Sequence, residues 1–296
     1  MGNEKSIKII GTNSNFEREP LIRPFGFKGG YLTEIWQTAA QIKSFSGHVS
    51  TGLCSQSVLW SDAEVFSRFS ESGGNALMFA VTEFALSILK ERQLSSPVNL
   101  LDDLLDEVFN YAKMITGNPN LRKTFALNAL VGVDIANWLL YARENGLNTF
   151  DEMIPAEYRD VLSYRHKRVA SIPLMAYSIP VSEIKQAADD GFYFMKIKIG
   201  QTGTQDEMLE KDKARLTEIH QAIGNYKTEH TENGKLPYYF DANGRYEKKE
   251  TLLQLIDHAE KIGALEQIAI IEEPFPEELE IDVSDIPVRL AADESA

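Results

Sequence analysis

The spacing of apolar residues changes character along the chain. Residues 6–10 (SIKII) read as a short strand, and residues 31–53, rich in aromatic, Ile and Thr side chains, read as further strands. Between them, IRPFGFKGG at 22–30 reads as a loop. From about residue 75 to 146 the spacing turns helical. Leu77, Phe79, Ala80, Phe84, Ala85 and Ile88 make one stripe, and Leu100, Leu101, Leu104, Leu105, Val108 and Phe109 a second. Phe125 to Tyr141 make a third, more continuously apolar helix, expected to be buried, with Gly146 as its C-cap. Asp102, Asp103, Asp106 and Glu107 are expected on a wet helix face. Strands followed by a run of helices predict an α+β unit over residues 1–165.

After about residue 170 strands and helices alternate. Strands are predicted at 171–179, 192–200, 236–244, 267–275 and 288–295. A short helix is predicted at 181–189, and one of about 18 residues turns Met208, Leu209, Leu216, Ile219 and Ile223 inward. Another at about 247–262 buries Leu252, Leu253, Leu255, Ile256 and Ala259. Alternating βα units with short apolar strands predict a parallel sheet or barrel over residues 166–296.

Candidate chemistry sits at the strand ends, where a βα barrel places its active site. Lys196 and Lys198 are two apart and share a strand face, with Met195, Ile197 and Ile199 on the other. Asp241 ends the next predicted strand, followed by Asn243. Glu272, with Glu273 beside it, and Asp293, with Glu294 beside it, end the two after that. Carboxylate oxygens without Cys or His suit a hard cation, Mg2+ being the natural choice. Two inward lysines need anionic partners, and these acids supply them.

Composition narrows the function classes. The 296 residues carry a net charge of −14, which disfavours a nucleic-acid partner. The apolar runs are far shorter than the roughly 20 residues that span a bilayer, and the first thirty residues hold no secretory signal. One cysteine, Cys54, allows no intrachain disulfide. A cytoplasmic protein is expected. Met1–Ser6 fits a loose N-acylation template, against which stands a plain solvated strand start. His48, His166, His220, His230 and His258 fall off the strand ends and read as structural or exposed. Cys54 reads as a packed small hydrophobe, substrate contact being the alternative.

The chain resembles the enolase superfamily, in particular its mandelate racemase and muconate lactonizing branches. The resemblance rests on KIKIG (196–200), FDANG (240–244), IIEEPF (270–275) and AADES (291–295), in that order. A softer match is VDIANWLLYARENGL (133–147), where Asp134, Ala136, Trp138 and Gly146 fit; TFDEMIP replaces the glycine-rich turn that often follows. The resemblance implies an N-terminal α+β capping domain before a modified (β/α) barrel. It implies Asp241, Glu272 and Asp293 as Mg2+ ligands, Lys198 as the acid/base, and Lys196 as the neighbour that lowers its pKa. Asn243 and Glu294 match supporting positions around the metal. Phe25, Phe27 and Lys28 match the mobile capping loop that closes over substrate. The reaction implied is abstraction of a proton α to a carboxylate, through an enediolate stabilised by the metal, on a small-molecule carboxylate in a homo-oligomer.

A full barrel needs roughly 200–250 residues, yet only about five strands follow residue 166. The chain is therefore expected to be partial, lacking the strands that carry a second acid/base, and is not expected to be stable or active alone. The first reading is a racemase, epimerase or cycloisomerase; the alternatives are a sugar-acid dehydratase of the same superfamily and a non-catalytic fragment.

Overall fold

The computed structural model describes residues 7–28, 30–90, 92–94 and 96–295, leaving aside the side chain of residue 101. The Met1–Ser6 template, Gly29 of the expected loop and Leu101 of the second stripe lie outside the described residues. The chain divides into two compact units, Met1–Arg23 with Leu32–Lys167, and Pro24–Tyr31 with Arg168–Ala296.

The first unit is built on β1 (Ile7–Phe27) and β2 (Gly30–Ser44), apart from the Pro24–Tyr31 tip that belongs to the second, with β3 (Val49–Gln56) and β4 (Gln93–Leu94), in the order β3-β2-β1-β4. β2–β3 and β1–β4 pair antiparallel. β1 is far longer than the predicted 6–10, and it runs through most of the predicted loop at 22–30. Its middle, residues 11–21, is largely exposed on both faces, so no apolar alternation marks it.

Helices α1 (Val58–Ser61), α2 (Ala63–Leu89), α3 (Pro97–Thr116), α4 (Lys123–Asn145) and α5 (Phe150–Met153) complete the unit. Helix begins well before residue 75: the Asp62 side chain caps α2 by accepting from Val65 N, and the helix breaks at Ser70 (φ 68°). By length and mean hydropathy α2 and α4 could each cross a membrane, although the sequence holds no long unbroken apolar run. Many of their apolar residues, among them Met78, Val81, Phe125 and Leu130, are instead core. One face of α4 stays exposed, at Val131, Ile135 and Leu139, against the expectation of a buried helix. Gly146 closes α4 at φ 68°, as expected of a C-cap. The acidic face of α3 at 102, 103, 106 and 107 is exposed, as read.

The second unit is a parallel sheet of β5 (Leu174–Met175), β6 (Met195–Lys198), β7 (Tyr238–Asp241), β8 (Ile268–Glu272) and β9 (Leu290–Ala291), in sequence order. Helices α6 (Val181–Asp189), α7 (Gln205–Ile223) and α8 (Lys249–Lys261) connect the strands. Met195, Ile197, Tyr238, Phe240 and Ile271 point from the sheet into one core with Ile184, Met208, Leu216, Ile219 and Leu252 of the helices. The opposite face of the central strands carries Lys196, Lys198, Tyr239, Asp241 and Glu272. The outer strands are much shorter than predicted. Residues 176–179 turn, with Ile179 N donating to Ala176 O, between Pro173 and Pro180, which have no N–H to give a ladder. A register shift between Tyr238 and Tyr239 brings Asp241 opposite Glu272.

Candidate active site

Strand pairing aligns Lys198 with Asp241, and Asp241 with Glu272, in one row at the C-terminal ends of three strands. The row is buried and ion-paired. Lys198 Nζ donates to Asp241 Oδ2 and to Asn243 Oδ1, both at 2.6 Å. Lys196 Nζ bridges Asp241 Oδ2 at 2.8 Å and Glu272 Oε2 at 2.5 Å. Burial works to lower the Lys196 pKa, but the hydrogen bonds and charges of Asp241 and Glu272 prevail and raise it. Asn243, at φ 46°, donates its backbone N–H to Asp241 Oδ1, closing a tight turn around the carboxylate.

β9 brings the remaining acids. Asp293 is exposed, and its backbone N–H donates to Glu273 Oε2 at 2.7 Å. Partial burial, then the negative charges of Glu294 and Glu272, hold the Asp293 carboxyl above the usual range. Glu294 pairs with Lys28 of the Pro24–Tyr31 tip at 3.0 Å, and the side chains are 0% and 6% exposed. Beside Lys28, the Phe27 ring lies 5.5 Å from Lys198 Nζ, and Phe25 packs on the core of this unit. The expected capping loop is thus a hairpin tip with a buried ion pair.

Five acids, Asp241, Glu272, Glu273, Asp293 and Glu294, surround three lysines. Glu273 Oε1 and Glu294 Oε2 are buried with no hydrogen-bond partner among the described residues. The cluster therefore holds more negative charge than its lysines offset, and every anionic donor is a hard oxygen, so its chemistry fits a divalent cation. Among the described residues no three acidic, His or Cys side chains stand close enough to share an ion; the Lys196 ammonium lies between Asp241 and Glu272.

No family model and no curated protein matches the chain. Solved structures do. A mandelate racemase/muconate lactonizing protein of Herpetosiphon aurantiacus superposes with TM-score 0.65 at 17% identity, over 98% of this chain and 68% of that one. A dipeptide epimerase of Cytophaga hutchinsonii, complexed with Mg and D-Ala-L-Val, gives 0.63 at 20% identity, over 98% and 66%. The chain shares the fold of these two structures. An L-talarate/galactarate dehydratase of Salmonella typhimurium LT2, liganded with Mg and L-lyxarohydroxamate, gives 0.58 at 18%, over 94% and 61%. At such identities the likeness speaks for the fold, and the chain spans about two thirds of the length of these structures.

Four residues that the sequence reading passed over lie in or around the row. Tyr239 OH donates to Glu272 Oε2 at 2.5 Å, and its pKa is pushed up to about 12 by burial and by that carboxylate. It stands two residues before Asp241, so strand alternation alone puts it on the polar face. Asp212 is fully buried on α7. It is the one acid at a stripe position, four residues from both Met208 and Leu216, and that anomaly was visible in the sequence. Tyr177 and Tyr246 carry no local signal; tertiary contacts alone reveal them.

The histidines keep to ordinary surroundings. His220 Nδ1 pairs with Tyr238 OH at 3.0 Å and His258 Nε2 with Thr217 Oγ1 at 2.8 Å. Cys54 is buried in β3, 3.5 Å from Asn128 O, and burial raises its thiol pKa.

Proposed function

We propose that this chain forms part of an enzyme that removes a proton α to a carboxylate, in a racemase, epimerase or cycloisomerase. The observation that carries the reading is the row itself: two lysines of one strand face seated on carboxylates that end the next two strands. Asp241, Glu272 and Asp293 would hold Mg2+. A bound Mg2+ withdraws electron density from a substrate carboxylate and so makes the adjacent carbon acid stronger. Lys198 Nζ is the group placed to accept the α-proton, and Asn243 and Asp241 aim that nitrogen. Lys196 supplies a fixed positive charge beside it. Phe27 covers Lys198 and keeps water from the nitrogen. The solved epimerase and dehydratase carry Mg in their own sites, which supports the cation.

Two measurements on the complete enzyme test this. Calorimetry should show Mg2+ binding that Asp241→Ala abolishes, while circular dichroism shows the fold retained. With dipeptides and N-acyl amino acids as probes, solvent deuterium should enter the α-position, and Lys198→Ala should stop this on one face of the carbon. Unchanged Mg2+ affinity in Asp241→Ala removes the ligand assignment. Unchanged exchange on both faces in Lys198→Ala removes the base. Loss of water from a sugar acid would favour a dehydratase, and an absence of Mg2+ binding a non-catalytic role.

A further inference from the structure

α7 turns an otherwise apolar stripe of Met208, Leu209, Leu216 and Ile219 into the core, yet Asp212 stands among them with no exposure. A carboxyl in such a place costs free energy unless its oxygens are occupied. They are occupied by the ends of two strands. Asp212 Oδ2 accepts from Gly200 N at 2.7 Å and from Tyr246 OH at 2.8 Å, and Oδ1 accepts from Gln201 N at 3.4 Å. Gly200 and Gln201 follow Lys198 after one intervening residue, Ile199. Tyr246 follows the Asp241–Asn243 turn, and its own N–H donates to Pro274 O, two residues past Glu272.

The junction leaves no slack. Gly200 sits at φ 77°, and a Cβ there would lie 2.6 Å from Arg245 Cβ and 2.8 Å from Ala242 O. Its carbonyl accepts from Tyr177 OH at 2.8 Å and from Arg245 Nε at 3.3 Å. The turns after β6 and β7 therefore meet on one carboxyl that hydrogen-bonds to none of the groups in the row, and the turns after β5 and β8 join them through Gly200 O and Tyr246 N.

We propose that Asp212 is a positioning residue: its carboxyl sets the spacing between Lys198 at the end of β6 and Asp241–Asn243 at the end of β7. The inference rests on the reaction proposed above, but its primary readout does not. Asp212→Ala, Asp212→Asn and Tyr246→Phe are compared with the parent chain by amide hydrogen exchange at Gly200 and Gln201, by Mg2+ calorimetry and by melting temperature. In Asp212→Ala the two amides should exchange at least about tenfold faster, and Mg2+ should bind about tenfold more weakly, the scale of one lost hydrogen bond. Asp212→Asn keeps an acceptor for Gly200 N and should recover most of both. Tyr246→Phe should move both in the same direction as Asp212→Ala by several-fold, and with Asp212→Asn it carries the test if the alanine variant fails to fold.

A merely structural Asp212 would lower the melting temperature and leave the Mg2+ affinity of the folded protein unchanged; that result overturns the proposal. So does an asparagine variant no better than alanine, or unchanged amide exchange in every variant. If the parent chain binds no Mg2+, the reaction reading fails by itself, and Asp212 is judged on the Gly200 and Gln201 amides.

Discussion

A single buried side chain shows how charge is handled at the row. Lys198 is 5% exposed, and its ammonium is offset by Asp241 and by the Asn243 amide oxygen. Removing one member of a buried pair strands the other, typically at a cost of about 3–5 kcal/mol. Asp241 keeps Lys196 at 2.8 Å, so Lys198→Met should cost less, about 2 kcal/mol in urea unfolding. Backbone strain supplies a second case. Gly200→Ala must adopt a left-handed φ and meet Arg245 Cβ and the Ala242 carbonyl. The left-handed penalty and the overpacking together predict a loss of about 2–4 kcal/mol, read as a fall in melting temperature. The K-x-K spacing announced the lysine's face, and the sequence offered no sign that Gly200 is boxed in from across the sheet.

At the level of elements, the hairpin joining β1 and β2 departs most from its sequence reading. IRPFGFKGG looks like a flexible loop because glycines flank its aromatics. In the fold, residues up to Phe27 are strand, Phe27 is 4% exposed, and Lys28 is paired with Glu294. Removing the Lys28 charge leaves the Glu294 carboxyl buried without that cation. Lys28→Met should therefore raise amide exchange across residues 24–31 by about tenfold or more, with the α7 amides unchanged as the internal control. In the other unit, β3 and α4 approach so closely that a Cβ on Gly52 would lie 2.0 Å from Gly132 O. It would also lie 2.6 Å from Ala136 N; both atoms are backbone and neither can yield, so Gly52→Ala should destabilise that unit by at least about 3 kcal/mol in denaturant.

For the whole molecule, the buried carboxyl on α7 links stability to pH. Burial raises the Asp212 pKa from 3.8 to about 6, against hydrogen bonds from Tyr246, Gly200 and Gln201 that lower it. Tyr177 and Arg245 are the other titratable groups at this junction. The folded state holds the Asp212 proton more tightly than the unfolded chain, so the sign is opposite to that of a salt-bridged acid. This contribution to stability is full below about pH 4 and is lost as pH rises through about 6. A rise from 3.8 to about 6 corresponds to roughly 3 kcal/mol. The stability of the parent relative to Asp212→Asn should fall by that order between pH 4 and pH 7 in denaturant unfolding. A flat difference would show that the carboxyl stays ionised across the range.

The sequence by itself determined the order of elements in the second unit, the inward faces of α7 and α8, and the strand ends on which Lys196, Lys198, Asp241 and Glu272 stand. These are local properties: a period of two or of 3.6 residues fixes which side of an element is apolar. Only the tertiary structure decided how the ends meet. The register shift at Tyr238 that sets Asp241 against Glu272, the Tyr239 hydroxyl on Glu272, the Lys28–Glu294 pair and the meeting of the β6 and β7 turns on Asp212 all join residues distant in sequence. No periodicity encodes such pairs, because each depends on which backbone groups the packing of other elements leaves to be satisfied. The edge strands fell short of their apolar runs for the same reason: a strand extends only as far as a neighbour continues to offer it a ladder.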